Sequence, residues 1–180
     1  MDRTILETPR LRLRPQCPAD LDANLAMDLD PAVHRYIYGD TPPDPDAHRR
    51  RLEDQINSDW PPEGGRWIVE EKTNPEFLGW CGLIPLEDSG FIEIGYRYVR
   101  AAWGRGIATE AACRVLDHGC STLGLDPIVA VSHPDNAASH RVLLKIGLKR
   151  DGTAFHYEQD LAFFGLSARE YFDSRPDGAP

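Results

Sequence analysis

The chain has 180 residues, of which 41% are hydrophobic and 27% are charged, and its formal net charge is −9. This length suits one globular domain, and the composition is that of a soluble protein with a packed core. The acidic balance argues against general binding to nucleic acid or to an anionic membrane surface, because both partners require a basic face. It suits a basic partner such as an amine or a basic peptide.

The cysteines and the apolar runs bear on the cellular compartment. The four cysteines, at positions 17, 81, 113 and 120, form no C-x-x-C pair, so the sequence predicts neither a metal site nor a redox centre. Residues 1–14 lack the apolar core of a signal peptide, and no run of about 18 apolar residues predicts a membrane span. We therefore expect a reduced, cytoplasmic protein that binds no membrane.

The first third of the chain predicts one strand and two helices. Leucines alternate with arginines over Thr8–Arg14, which is typical of a strand with one wet face. Leucines at helical spacing predict a short helix over 18–29. Proline, glycine and aspartate predict a loop over 36–45, and a polar helix follows over 46–59.

The rest of the chain predicts a sheet crossed by helices. We expect strands at 66–71, 76–84, 91–99 and 128–131, helices at 106–123 and 136–146, and one or two strands within 153–172. The first three strands form an antiparallel meander, and the strand–helix–strand unit over 91–131 is a parallel crossover. We predict one α/β domain over 1–174, with helices flanking a mixed, mostly antiparallel central sheet, and a flexible tail over 175–180.

The segment Val99–Glu110 joins a strand to the start of a helix, and two glycines flank Arg105 within it. A helix N-terminus presents unpaired N–H groups to an anion, and glycine lets the backbone approach a phosphate closely. The main chain of these residues is predicted to hold a pyrophosphate: Gly104, Arg105, Gly106, Ile107, Ala108 and Thr109. Arg100 and Arg105 would add charge. There is no third glycine at dinucleotide spacing and no G-K-S/T run, and the loop alone leaves a purely structural turn open.

The same segment resembles a known family. Arg100, Gly104 and Gly106 match the R/Q-x-x-G-x-G/A motif of the acyl-CoA pyrophosphate loop in the GNAT superfamily of N-acetyltransferases. Further runs resemble the RimJ/RimL-like branch, which acetylates the N-termini of ribosomal proteins: 8–14, 78–83, 93–96, 103–111, 136–148 and 165–170. The resemblance therefore spans nearly the whole chain, in order.

This resemblance implies a central sheet splayed open in the middle. Acetyl-CoA, as cosubstrate and without a metal, would enter the gap from one side and the amine from the other. The strand over 91–99 would line the gap and pair its backbone with the pantetheine arm. Beyond the loop residues, the predicted acetyl-CoA contacts are Tyr96, Val99, Asn136 and Ser139.

Two positions are candidates on the thiol side of the reaction. The branch implies that Ser139 protonates the thiolate leaving group, where other family members use a tyrosine four residues later, here Leu143. The alternative is that Ser139 only caps or packs the helix. Asn136 suits a helix N-cap, a hydrogen bond to pantetheine, or both.

The first candidate for the general base is Glu93, on the strand that should line the gap, with Tyr96 and Asp160 as lesser candidates. The alternatives are that Glu93 pairs with Arg97 or Arg100, or that water chains remove the proton and no single base exists.

Aromatic side chains can hold a peptide or a ring, although they are equally common in a protein core. The residues predicted to form the acceptor site are Tyr36, Tyr38, Trp60, Trp80 and Tyr157. The leading hypothesis is acetylation of a peptide or protein N-terminal α-amino group. One alternative is acetylation of a small amine, such as an aminoglycoside, polyamine or amino-acid-like metabolite. Another is a CoA-binding regulatory domain without turnover. An exposed sheet edge would also permit a homodimer.

Overall fold

The structure, a computed structural model, describes residues 4–39, 41–58 and 64–175. Within these ranges the chain forms eight strands and six α-helices. The strands are β1 (Leu6–Glu7), β2 (Leu11–Pro15), β3 (Gly65–Glu71), β4 (Asn74–Pro85), β5 (Ile92–Tyr98), β6 (Ile128–Ser132), β7 (Lys149–His156) and β8 (Gln159–Leu166). The helices are α1 (Leu21–Asp28), α2 (Pro31–His34), α3 (Pro45–Asn57), α4 (Ile107–Asp117), α5 (Ala137–Lys145) and α6 (Ala168–Asp173). None of the helices described is long and apolar enough to cross a membrane.

All eight strands form one sheet, in the order β1-β2-β3-β4-β5-β6-β8-β7. Neighbouring strands are antiparallel except β5 and β6, which are the parallel ends of the predicted crossover. These two strands pair only at Ile92 with Ile128 and at Glu93 with Val129. Beyond that point they separate, so the backbone of β5 from Ile94 onwards has no strand partner on this side among the described residues. The predicted splayed, mostly antiparallel sheet is thus confirmed.

The two faces of the sheet differ in chemistry. Helices α4 and α5 cover one face, and they bury a continuous apolar core that includes Leu83, Ile94 and Val115. Helix α1 packs on the other face, where the apolar cluster is small and contains Ile68 and Trp80. Side chains alternate between faces along a strand, so the meander of β3, β4 and β5 can present charged residues to this second face while its first face stays apolar.

Two helices were not predicted, although each carries a cap signal in the sequence. Asp30 accepts a hydrogen bond from the backbone N–H of Ala32 at 2.9 Å and begins α2. Ser167 and Glu170 form a reciprocal capping box that begins α6, within the stretch predicted to contain only strands. Short helices of this kind contribute too few apolar positions to show a helical period.

Two further boundaries differ from the predictions. The α-helix predicted to run to residue 123 ends at Asp117 and continues as a π-helical turn over His118–Thr122. Strand β7 begins at Lys149, four residues before the predicted start. At the predicted tail, the Arg175 guanidinium lies 2.9 Å from Asp117, and residues 176–180 lie outside the described ranges.

Candidate active site

The glycine loop adopts the conformation that its residue types favour. Gly104 and Gly106 have φ angles of +72° and +79°, in the left-handed region that other residues enter only with strain. Gly106 is the N-cap of α4. No atom lies within 4 Å of the position that a Cβ would take at Gly104, so backbone conformation, not crowding, requires glycine there.

This loop presents an uninterrupted run of backbone donors. The N–H groups of Ala102 and Trp103 are bound within the preceding 3-10 turn, and that of Glu110 donates to the Gly106 carbonyl at 3.0 Å. Between them, the N–H groups of residues 104–109 have no acceptor in the part of the chain that the structure describes. Because they lie at the positive end of α4, they suit the pyrophosphate of acetyl-CoA.

An arginine in the turn between β1 and β2, not predicted from the sequence, anchors the loop. Arg10 donates from both terminal nitrogens to the Arg105 carbonyl at 3.2 Å, and its Nε donates to Glu110 at 2.7 Å. Thr8 Oγ1 donates to the same carboxylate at 2.6 Å. The Arg105 guanidinium itself lies 2.7 Å from Glu71, whereas Arg100 is exposed at the start of the loop.

The predicted acid is hydrogen-bonded to a tyrosine across the gap. Tyr96, on β5, lies with its hydroxyl 3.1 Å from Ser139 Oγ, on α5, and 3.2 Å from the Ser139 carbonyl. Burial raises the pKa of Tyr96 and keeps the phenol protonated at neutral pH. Asn136 caps α5 by accepting from the Ser139 N–H at 3.1 Å, so its side-chain oxygen has a structural role. Leu143 is buried in the core.

The predicted base, Glu93, is only 5% exposed and has one side-chain partner among the described residues. Tyr157 donates to its Oε1 at 2.5 Å. Burial raises the pKa of Glu93 to about 7, against the opposing effects of the Tyr157 hydrogen bond and the Arg66 charge. Arg97 instead lies 2.6 Å from Asp28, and Asp160 is exposed on β8.

Tyr157 reaches Glu93 from a tight hairpin. It is the first of two residues that join β7 to β8, and both have left-handed φ angles, +51° at Tyr157 and +60° at Glu158. Hairpin turns of this kind normally contain asparagine or glycine, so two larger residues carry strain of order 1 kcal/mol each. The turn positions the phenol over the buried carboxylate, while the side of Tyr157 away from it remains open to solvent.

The other predicted acceptor residues lie on or near the second face of the sheet, on which α1 packs. Trp80 is buried, with the Arg66 guanidinium 4.1 Å from its ring centroid. The ring of Tyr38 packs edge-on against His48 at 5.6 Å, and that of Tyr36 lies 5.3 Å from His133. Trp60 lies outside the described residues. Val99, partly buried, packs against the cluster that contains Trp80.

Known proteins resemble the chain over most of its length. Residues 10–149 match the family model of the acetyltransferase (GNAT) domain. The protein YkkB of Bacillus subtilis is 34% identical, over 90% of this chain and 95% of its own. The N-acetyltransferase p20 of Bacillus licheniformis is 32% identical, over 92% of this chain and 97% of its own.

Solved structures of GNAT proteins share the fold. A GNAT-family acetyltransferase from Bacillus anthracis superposes with a TM-score of 0.76 at 22% identity, covering 92% of this chain and 99% of that one. RimJ from Mycobacterium smegmatis, solved with CoA-disulfide, gives 0.68 at 22% identity, covering 93% and 87%. The chain therefore belongs to the GNAT acetyltransferase family and is an N-acetyltransferase that uses acetyl-CoA as cosubstrate.

Proposed function

We propose that the protein transfers the acetyl group of acetyl-CoA to the N-terminal α-amino group of a peptide or protein, by direct attack within a ternary complex. The observation that supports this most is the buried Glu93, bound to Tyr157 and located where β5 and β6 begin to separate. A base at this place lies beside the gap into which the thioester must be inserted.

Acetyl-CoA would be held at two places on the chain. The free N–H groups of residues 104–109 would bind its pyrophosphate, with Arg100 adding charge at the edge of the loop. The unpaired backbone of β5 beyond Glu93 would bind the pantetheine arm as an added strand, with Val99 and Tyr96 along it. The bound cosubstrate supplies an activated acetyl group, and most of the rate enhancement comes from holding that group against the amine.

Glu93 would accept the proton of the attacking amine, directly or through one water. Its pKa of about 7 lies within about one unit of an ordinary α-amino group, whose pKa is 7.7–8.0. A lysine-like or polyamine nitrogen, with a pKa near 10.4, would be harder to deprotonate by a further ~3 kcal/mol. The match of proton affinities therefore favours an α-amino acceptor over an alkylamine.

Ser139 and Tyr96 would supply the proton for the departing thiolate. Their hydroxyls are 3.1 Å apart, so a proton that leaves Ser139 Oγ can be replaced from the Tyr96 phenol. The raised pKa of Tyr96 keeps that proton available throughout the neutral range. Either hydroxyl can therefore act as the terminal donor, and we assign the role to the pair.

The experiment is a comparison of acceptors by release of CoA thiol at fixed acetyl-CoA. We expect kcat/KM to be highest for short peptides with free N-termini and to vanish when the N-terminus is blocked. A calorimetric titration with acetyl-CoA comes first and should show saturable binding in the micromolar range. Turnover of spermidine or an aminoglycoside well above that of every peptide would assign the protein to small amines instead.

A further inference from the structure

A buried arginine lies on the same face of the sheet as Glu93. Arg66, on β3, pairs with Gly82 of β4, and Gly82 pairs with Gly95 of β5. Residues directly opposite in paired strands, and residues two apart in one strand, share a face. Arg66 therefore points to the same face as Glu93, two residues from Gly95, and its positive charge lowers the pKa of that carboxylate.

Arg66 differs from its neighbours because no carboxylate of the described residues forms an ion pair with it. On the same face Arg14 lies 2.6 Å from Asp20, and Arg97 lies 2.6 Å from Asp28. No carboxylate of the described residues comes within 4.0 Å of Arg66, although it is only 8% exposed. A buried cation that no carboxylate contacts directly is unfavourable: burial, together with the positive charge of Arg97, lowers the pKa of Arg66 to about 10, and the more distant Asp28 opposes this only in part.

The guanidinium of Arg66 is nevertheless held in place by neutral groups. Its Nη1 donates to Gln55 Oε1 at 2.8 Å, and its Cζ atom lies 4.1 Å from the centroid of the Trp80 ring. Its Nε is fully buried and has no hydrogen-bond partner among the described residues. The side chain is thus fixed while part of its donor set is unused, which is the arrangement expected of a site that awaits an anion.

We propose that Arg66 binds a carboxylate carried by the acceptor, while the amine of the same molecule lies at Glu93. This inference rests on the proposed function. The carboxylate would belong to an acidic residue at the first or second position of a peptide, or to a free amino acid. Arginine suits this role because its planar guanidinium donates to both oxygens of a carboxylate. The acceptor would then be acidic, which the net charge of the chain does not suggest.

The test uses three pairs of acceptors that differ only in a carboxylate. They are Asp-Ala-Ala-amide and Asn-Ala-Ala-amide, Ser-Glu-Ala-amide and Ser-Gln-Ala-amide, and alanine and alaninamide. For each pair kcat/KM is measured with the wild-type chain, with Arg66→Gln and with the control Arg12→Gln, which alters an exposed arginine of β2. Circular dichroism and acetyl-CoA affinity establish that each variant is folded.

We expect the wild type and Arg12→Gln to prefer the carboxylate member of at least one pair by about tenfold or more, the usual effect of a hydrogen bond to a charged group. Arg66→Gln should remove that preference. Equal turnover within all three pairs, or a preference that persists in Arg66→Gln, would overturn the inference. If that variant does not fold, equal turnover within all three pairs by the wild type still overturns the inference.

The same data separate this inference from the proposed function. A preference confined to alanine, with both peptide pairs inert, supports the role of Arg66 and contradicts a peptide acceptor. Equal turnover of acidic and neutral peptides supports the peptide acceptor and contradicts the role of Arg66. Turnover of spermidine with none of the six compounds acetylated contradicts both.

Discussion

Tyr157 and Glu93 are 64 residues apart in the chain, yet the tyrosine hydroxyl donates to the glutamate carboxylate at 2.5 Å. The hydrogen bond stabilises the charged form of a carboxyl group that burial would otherwise keep protonated. It thereby holds the proposed base near the pKa at which it can accept a proton from an α-amino group.

Removing that hydroxyl should shift the pH dependence of catalysis. With Tyr157→Phe the carboxylate loses a donor, so the pKa of Glu93 rises and the acid limb of kcat/KM moves to higher pH. We expect activity at pH 7 to fall several-fold and to recover partly at pH 8.5. The control is Tyr171→Phe, which removes a tyrosine hydroxyl bound to Asp117, away from the site. An unchanged acid limb in Tyr157→Phe would show that this hydrogen bond does not set the pKa of the catalytic group.

Replacing the base itself should lower turnover and raise stability at alkaline pH. We expect Glu93→Gln to reduce kcat about 10²–10⁴-fold, the usual contribution of a general base. Because folding raises the pKa of Glu93 from 4.5 to about 7, the folded chain retains this proton more tightly than the unfolded chain. The stabilisation from this group is therefore present below about pH 4.5 and is lost as the pH rises through 7.

The glutamine variant does not titrate at this position, so its melting temperature relative to the wild type should be higher at pH 8 than at pH 5. Calorimetric scans at the two pH values measure the difference. A melting-temperature difference that does not depend on pH would show that Glu93 is ionised normally in the folded chain.

The two hydroxyls proposed to protonate the thiolate should behave as one unit. Ser139→Ala and Tyr96→Phe should each reduce kcat about 10²–10⁴-fold with little change in acetyl-CoA affinity. The double variant should lose little more than the worse of the two single variants, because residues that act together are not additive. Multiplicative losses would mean that the two residues act independently, and full activity of Ser139→Ala would exclude that serine.

The proposed pyrophosphate loop should depend on its left-handed glycines. Gly106→Val should weaken acetyl-CoA binding by at least roughly 10–100-fold, because the run of N–H donors can no longer converge on one anion. Gly124→Val is the matched control, since Gly124 also has a left-handed φ, of +66°, but lies beyond the other end of α4. Both variants should lose about 1–2 kcal/mol of stability, whereas only the first should lose affinity in calorimetric titration. Equal affinities would assign the glycine loop a structural role alone.

Much of the fold could be read from local patterns. The meander, the glycine loop and the α5 region each show their period or their turn residues within a short window, and the structure places them where the patterns predict. Helices α2 and α6 were missed because they are too short to display a period, although Asp30 and Ser167 mark their starts. The resemblance to the GNAT superfamily, rather than any local pattern, implied that the strand carrying Glu93 lines the gap.

The contacts that complete the site depend on distant parts of the chain. Tyr157 reaches Glu93, Arg10 anchors the glycine loop, and Arg66 shares a face of the sheet with Glu93 only because strand register and one strained hairpin set their positions. A sequence pattern reports what lies within a turn or two of a residue, so it determined the element order and the glycine turn before α4. Which side chains meet across 27 to 100 residues, and therefore the pKa of the proposed base and the positive charge near it, was decided by tertiary packing alone.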